Sequence, residues 1–249
     1  MLNKINRKGI ILAGGKGTRL YPLTKHISKQ LLPVYNKPMI FYPLFTLIHA
    51  GIKEILIIIN PGEINLFKRL LGNGSEFGVN IKYELQPKPD GIAEAFIIGE
   101  RFINNHPVTL ILGDNIFIGS SFKKTLQDCI SDTVVPLIFL KKIKNPNRFG
   151  VAKIDKNQRL IEIIEKPKNY ISNLAVTGLY NYDENVVNYA KKLKKSERGE
   201  LEISELNQLY IDKGNMRHFI LGDNISWFDA GTHDSLLEIS NVIYNIEKN

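Results

Sequence analysis

The sequence predicts an α/β protein: a Rossmann-like, mostly parallel mixed sheet flanked by helices, with an elaborated second half. Three observations point there. Short β-rich apolar runs alternate with helical stretches through the first half of the chain. A glycine-rich turn follows the first of these runs directly. The 249 residues are 43% hydrophobic and 23% charged, close to a globular average and enough for one large core without a disulfide or metal staple.

The elements follow in order. Residues 9–13 read as a buried strand. Residues 39–50 have helical length, with Pro38 near the start and Gly51 at the stop. Residues 54–59 form an Ile-rich strand ended by Asn60-Pro61-Gly62. A helix over 63–71 precedes a strand over 79–85 whose apolar positions alternate. Residues 92–102 are helical, and 108–112 give a fourth strand. In such sheets ligands bind beyond the carboxyl ends of the strands. The loops after Ala13, Leu85 and Leu112 are therefore the places to look.

The second half is less regular. Strands are expected over 134–140, 150–154 and 176–182, with 159–164 returning from a hairpin around 155–158. Helices are expected over 186–193 and 203–213. A last helix runs over 233–246, capped by Thr232 or Asp234. No linker, repeat or low-complexity segment interrupts the chain. It reads as a single domain over 1–249, with halves of about 1–133 and 134–249.

Composition excludes several classes. The longest wholly apolar run, Ile55 to Ile59, is five residues against the roughly 20 a membrane helix needs. Residues 1–8 carry no apolar signal-peptide core. The single cysteine, Cys129, has no partner for an internal disulfide and reads as a small buried apolar residue. Together these lead us to expect a cytoplasmic protein. Lys plus Arg is 33 against 25 Asp plus Glu, a net charge of +8. Such an excess suits nucleic acid or small anionic substrates. The local concentrations, Lys141-Lys142-Lys144 and Lys191-Lys192-Lys194-Lys195, lack the interleaved aromatics of a single-strand groove. They read as solvated faces, and no nucleic-acid recognition motif appears.

The turn after the first strand is Gly14-Gly15-Lys16-Gly17-Thr18-Arg19. It is neither a Walker A loop nor the dinucleotide fingerprint. Glycines let backbone N–H groups close on an anion, and Lys16 and Arg19 add positive charge. On the glycines alone, phosphate binding and a plain turn both stay open. A second lysine follows in Ser28-Lys29-Gln30-Leu31-Leu32-Pro33.

Taken together, Leu12-Ala13-Gly14-Gly15-Lys16-Gly17-Thr18-Arg19-Leu20-Tyr21-Pro22-Leu23-Thr24 and the Ser28–Pro33 run resemble the signature of the sugar-nucleotide pyrophosphorylases. These nucleotidyltransferases join a sugar 1-phosphate to an NTP, and the resemblance is nearest to those using dTTP and glucose 1-phosphate. It continues along the chain. Gln86-Pro87-Lys88-Pro89-Asp90-Gly91-Ile92-Ala93 resembles the base-reading loop. Leu112-Gly113-Asp114-Asn115 resembles the metal-binding strand end. Arg148-Phe149-Gly150-Val151, Glu165-Lys166-Pro167 and Ala175-Val176-Thr177-Gly178-Leu179-Tyr180 resemble sugar-phosphate segments. Arg198-Gly199-Glu200-Leu201-Glu202-Ile203 and Trp227-Phe228-Asp229-Ala230-Gly231-Thr232-His233 complete the set.

The resemblance implies the nucleotide-diphospho-sugar transferase fold, with nucleotide bound by the first half and sugar phosphate by the second. It implies formation of dTDP-glucose and pyrophosphate, feeding deoxysugar and polysaccharide synthesis. The sugar phosphate attacks the α-phosphorus in line. A phosphomonoester has a second pKa of about 6, so no general base is needed. Catalysis is then positioning plus electrostatics. Arg19 would hold the leaving phosphates, Lys29 would approach the α-phosphate, and Lys166 would orient the sugar phosphate. Leu12, Gly14, Gly15, Gly17, Thr18, Gln30, Gln86, Pro89, Gly91 and Asp114 would bind nucleotide, with Gln86 and the Gly91 backbone reading the base. Asn115, Gly150, Glu165, Val176 and Arg198 would meet the sugar. Asp114 and Asp229 would hold Mg²⁺, a hard cation suited to oxygen ligands. Lys16 and His233 receive no role. A homo-oligomer, dimer or tetramer, is expected, with neither nucleic acid nor membrane as a partner.

Three departures stand out. Ile164 precedes Glu165-Lys166-Pro167 where Glu is common. Glu94 stands where Gln is frequent, beside the base-reading loop, which bears on nucleotide preference. The chain stops soon after the helix bearing Ile239 and Ile243, where many relatives continue into a regulatory helical segment, so that form of feedback is not expected. The alternatives are the same chemistry on UTP, CTP or another hexose phosphate, or a nucleotide-binding regulatory subunit without turnover. The presence of Arg19, Lys29, Asp114, Lys166 and Asp229 favours an enzyme over the latter.

Overall fold

The computed structural model describes residues 6–130 and 134–248. In chain order the strands and α-helices are β1 (Lys8–Ala13), β2 (Pro33–Val34), β3 (Lys37–Pro38), α1 (Phe41–His49), β4 (Glu54–Ile59), α2 (Ile64–Leu71), β5 (Asn80–Leu85), α3 (Glu94–Ile98), α4 (Glu100–Ile103), β6 (Val108–Leu112), β7 (Asn115–Ile118), α5 (Phe122–Ile130), β8 (Leu137–Lys142), β9 (Gly150–Ile154), β10 (Leu160–Glu165), β11 (Leu174–Tyr182), α6 (Val186–Ala190), α7 (Ile203–Asp212), β12 (Arg217–Leu221), β13 (Ser226–Asp229) and α8 (His233–Lys248).

A nine-stranded mixed sheet organises the described residues, in the order β10-β9-β11-β6-β1-β4-β5, with β8 beside β11 and β12 beside β8. β1 runs parallel to β4 and β6, and β4 parallel to β5. β11 is antiparallel to β6, β8 and β9, while β12 is parallel to β8. Only β11 and β10 therefore oppose the common direction, as expected for a mostly parallel sheet. The seven co-directional strands send their carboxyl ends to one edge, where β1 and β6 release the glycine-rich turn and Asp114.

Period-two alternation divides the core between the faces. Ile10, Leu56, Ile58 and Leu110 face α3, α6 and α7. Ile11, Ile57, Ile59 and Ile111 face α1, α2 and α5. Each fully buried Ile or Leu contributes about 1.5–3 kcal/mol. β4 lies between two parallel neighbours with both faces covered, which is why it reads as an unbroken Ile run. A third cluster of Val34, Met39, Ile116, Ala230, Ile239 and Ile243 seats α8 against β2, β3, β7 and β13.

Several expectations shift on physical grounds. The helix expected over 92–102 is two helices meeting at Gly99, whose α-carbon packs against Ile10 and Leu56 of the sheet. β8 begins at Leu137 rather than 134 because Pro136 has no N–H for the ladder; its carbonyl accepts from the Arg217 N–H instead. α6 ends at Ala190, and residues 192 and 193 continue as tighter i→i−3 turns. Thr232 is the cap of α8: the Ser235 N–H donates to Thr232 Oγ1 and the Thr232 N–H to Ser235 Oγ, a reciprocal box. Among the described residues no helix is long and apolar enough to cross a membrane.

Candidate active site

A cleft of about 650 Å³ opens at the carboxyl edge of the sheet, between the two halves. Leu12, Gly14, Arg19, Lys29, Gln30, Asp114, Asn115, Gly150, Glu165, Lys166, Val176 and Asp229 all line it. Twelve residues singled out in sequence, drawn from seven separate loops and strands, thus meet in one place.

The glycine-rich turn forms one wall. Gly15 and Gly17 have φ of 97° and 62°, where a side chain would be strained. Asn60, at the end of β4, braces the turn: its Oδ1 accepts from the Gly15 N–H at 2.9 Å and its Nδ2 donates to the Gly15 carbonyl at 3.0 Å. The Gly15 N–H is thereby spent inside the protein. Thr24 Oγ1 donates to the Gly17 carbonyl at 2.7 Å. Arg19 reaches from this wall toward Asp229 and Gly231, so closely that a β-carbon on Gly231 would stand 2.7 Å from its Nη2. Lys16 is exposed and points elsewhere than the cleft lining.

Asp114 is buried at the end of β6 and is ion-paired with Lys29. Burial opposes its ionisation, but the Lys29 ammonium and hydrogen bonds from Lys29 and Asn115 outweigh it and hold the carboxyl below its ordinary range. Asp229, the last residue of β13, pairs across to Asn115, next to Asp114, and the Ala230 N–H donates to the Asp114 carbonyl at 2.9 Å. Its carboxyl is pushed up by burial and then by the neighbouring Asp114 charge, against the pull of Arg19 and Lys29. Two oxygen-donor carboxylates held together at a cost are what a hard divalent cation would relieve.

Asn115 knits this corner together. Its Oδ1 accepts from Trp227 Nε1 at 2.6 Å and from the Gly178 N–H at 2.9 Å, and its Nδ2 donates to Asp114 Oδ1 at 3.1 Å. A β-carbon on Gly178 would stand 2.6 Å from the Asn115 carboxamide. Gly178→Ala is therefore expected to dislodge Asn115 and cost about 1–3 kcal/mol, with turnover falling alongside. Urea denaturation and a rate assay would check this; unchanged values in both would refute it.

The opposite wall is Gly150, Glu165, Lys166 and Val176 with Arg148, Phe149, Tyr180 and Trp227. Lys166 adopts φ of 43°, held by its N–H donating to the Phe149 carbonyl at 3.0 Å. The left-handed region is a strained conformation for a lysine. Its Nζ lies 3.6 Å from Glu165 Oε1. Glu165 is half-buried, and burial raises its carboxyl above the ordinary value, with Lys166 pulling it down.

The remaining candidates stand back from the lining. Gly15, Gly17 and Thr18 belong to the glycine-rich turn but not to the lining. Gln86, Pro89 and Gly91 lie in the loop after β5, which is stitched to the second half: the Leu201 N–H donates to the Asp90 carbonyl at 2.7 Å, and the Ala93 N–H to the Leu201 carbonyl at 3.2 Å. Arg198 faces carboxylates instead, 3.1 Å from Glu200, 3.5 Å from Glu202 and 3.8 Å from Glu165. Of these, Glu165 and Glu200 line the cleft. Sequence reasoning gave no role to Asn60, Phe149, Tyr180, Glu200 or Trp227. The available signal was that Phe149, Tyr180, Glu200 and Trp227 each stand inside one of the matching motifs, whereas Asn60 stands in none.

Comparisons with known proteins place the chain in a family. The family model described as nucleotidyl transferase matches residues 8–245. A glucose-1-phosphate thymidylyltransferase of Neisseria meningitidis serogroup A is 54% identical over 240 residues, 96% of this chain and 83% of the relative. One from Mycobacterium tuberculosis is 47% identical, covering 97% and 83%. The crystal structure of a candidate glucose-1-phosphate thymidylyltransferase from Bacillus anthracis, in complex with sucrose, superposes with a TM-score of 0.87 at 42% identity, over 95% of this chain and 94% of that one. A UDP-glucose pyrophosphorylase complexed with UDP-glucose superposes with a TM-score of 0.83 at 22% identity, over 97% and 99%, a likeness of fold alone. The chain belongs to the nucleotidyl transferase family, in the branch of the glucose-1-phosphate thymidylyltransferases.

Proposed function

We propose that the chain transfers a thymidylyl group from dTTP to glucose 1-phosphate, giving dTDP-glucose and pyrophosphate, with Mg²⁺ as the metal. The observation that carries the reading is one cleft holding Arg19, Lys29, Asp114 and Asp229 on one side and Glu165 and Lys166 on the other. Cations for two polyanions thus share one cleft with a pair of metal-competent carboxylates. The names of the relatives at 47–54% identity supply the substrate pair.

Arg19 binds the β- and γ-phosphates with its planar fork and steadies the leaving pyrophosphate. Lys29 neutralises charge on the α-phosphate as it is attacked. Lys166, presented by its left-handed backbone, holds the sugar phosphate in line, and Glu165 accepts from sugar hydroxyls. Gln86 reads the base. Asp114 and Asp229 would hold Mg²⁺, which supplies positive charge to the α-phosphate oxygens when bound. The nucleophile arrives ionised, so these residues supply position and field rather than a proton.

A panel of NTPs and sugar 1-phosphates, read by pyrophosphate release, tests the reading. The highest kcat/KM is expected for dTTP with glucose 1-phosphate. A preference for a purine nucleotide would refute the role of Gln86. Nucleotide binding without turnover in excess Mg²⁺ would restore the regulatory-subunit alternative. Lys166→Ala is expected to raise KM for glucose 1-phosphate at least about tenfold more than KM for dTTP, the loss of one charge-assisted contact being worth roughly 1.5–3 kcal/mol. Equal losses for both substrates would contradict its place beside the sugar phosphate.

A further inference from the structure

We propose that Glu94 is a positioning residue for nucleotide choice: it holds the Gln86 carboxamide in a single orientation, with the oxygen presented to the base. The inference rests on the reading of Gln86 as the residue that meets the base.

Gln86 is buried where the chain leaves β5, and its backbone N–H donates to the Ile59 carbonyl at 2.8 Å, carrying the β4–β5 register one step beyond the strand. A carboxamide has a donor end and an acceptor end, and packing alone distinguishes them poorly. The surroundings of Gln86 distinguish them by chemistry. Its Nε2 donates to Glu94 Oε2 at 2.8 Å and approaches the Gly91 carbonyl at 3.4 Å. A carbonyl can only accept, and an ionised carboxylate can only accept. Turning the amide over would set its oxygen against two acceptors, so the nitrogen stays on that side.

The oxygen is consequently sent the other way. It rests against the α-carbon of Gly14, which lines the cleft, and occupies the space a side chain there would need. Among the described residues none donates to it. An acceptor in want of a donor is thus held beside the nucleotide wall. Thymine and uracil bring a donor at N3, whereas cytosine brings a lone pair there. Matching a polar site with the wrong polarity leaves a buried group unpaired, which is the strong form of discrimination. Glutamine at position 94 could either accept from Gln86 or donate to it, and only the longer 3.4 Å approach to the Gly91 carbonyl would then tell the two orientations apart. The carboxylate closes one of them. The departure noted in the sequence at Glu94 therefore tightens base choice.

The experiment compares kcat/KM for dTTP and CTP, at saturating glucose 1-phosphate, in the wild type and in Glu94→Leu, Glu94→Gln and Gln86→Leu, with thermal unfolding as a folding check. The dTTP-to-CTP ratio is expected to fall at least tenfold in Glu94→Leu, through KM for dTTP, while KM for glucose 1-phosphate stays within twofold. Glu94→Gln is expected to lie between the two, at least threefold below the wild type, and serves alone if the Leu variant does not fold. A fall in the ratio for Gln86→Leu with none in the Glu94 variants would overturn the proposal and leave the reading of Gln86 intact. No fall in any variant would overturn both. Equal rises in KM for both substrates in the Glu94 variants would mark a general loosening of the loop and overturn the positioning role.

Discussion

Asp229→Asn is expected to raise the unfolding temperature of the metal-free protein by a few degrees while lowering turnover at least about a hundredfold, the scale of losing one electrostatic anchor of the transition state. The sign follows from the direction of its shift. Burial and the Asp114 charge hold the folded-state pKa of Asp229 above its ordinary value. A raised carboxyl binds its proton more readily in the folded state, so stability falls as pH rises from the ordinary value through the raised one, and at neutral pH the full cost is present. Asparagine removes that cost and keeps the acceptor for the Gly231 N–H, which Asp229 Oδ1 now receives at 3.0 Å. For a chain of this size each kcal/mol relieved is worth about 2–4 °C. Scanning calorimetry with a chelator and pyrophosphate release in excess Mg²⁺ measure the two effects. Mg²⁺ should also raise the midpoint of the wild type more than that of the variant, because it stabilises only by binding the folded site. A lower midpoint or near-normal turnover would remove Asp229 from this role.

Asp114→Asn makes the informative contrast. Its carboxyl is held below the ordinary value, so its contribution is present above that value and is lost as pH falls through the depressed one. The same chemical change at this neighbouring carboxylate should therefore destabilise, while turnover falls as in Asp229→Asn. Neighbouring carboxylates with opposite stability signs and a shared functional sign would mark a pair kept for chemistry rather than for the fold.

Much of this was legible along the chain. β4 is written as an Ile run because a central parallel strand is covered on both faces. The Gly14–Arg19 turn announces itself because only glycine tolerates its backbone. What the chain does not write is which loops meet. Lys29 and Asp114 are 85 residues apart, and no local pattern encodes a contact between the segment after β1 and the end of β6. Asn60 looks like an ordinary turn residue after β4, and nothing local says that it braces Gly15. β7 and β13 escaped notice because each spans four residues, too short for periodicity to show. Arg198 lies in a matching motif, yet it is absent from the cleft lining, and three carboxylates within 4 Å, two of them cleft residues, occupy its guanidinium. Motifs report which segments matter; the side-chain electrostatics of the folded state decide which member of a segment faces the ligand.

Lys29→Met carries the largest expected cost to the fold. The substitution keeps the volume of the stem and removes only the ammonium, leaving the Asp114 carboxylate buried against Asn115 without its counter-charge. Stranding one member of a buried pair costs about 3–5 kcal/mol, or roughly 6–20 °C in midpoint for a chain of this length. Turnover should fall at least about a hundredfold as well, since Lys29 is the cation assigned to the α-phosphate. Loss of stability and loss of chemistry are separated by the double variant Lys29→Met/Asp114→Asn. With both charges gone the corner is neutral, and asparagine can still accept from the Asn115 amide. Most of the lost stability should return, because replacing both partners of a buried pair is far milder than removing one. Turnover should not return, because neither the metal carboxylate nor the cation is restored. A urea denaturation cycle over the four proteins reads the coupling directly. Additivity within about 0.5 kcal/mol would mean that the two groups do not support each other in solution, and recovery of turnover in the double variant would take Lys29 out of the reaction altogether.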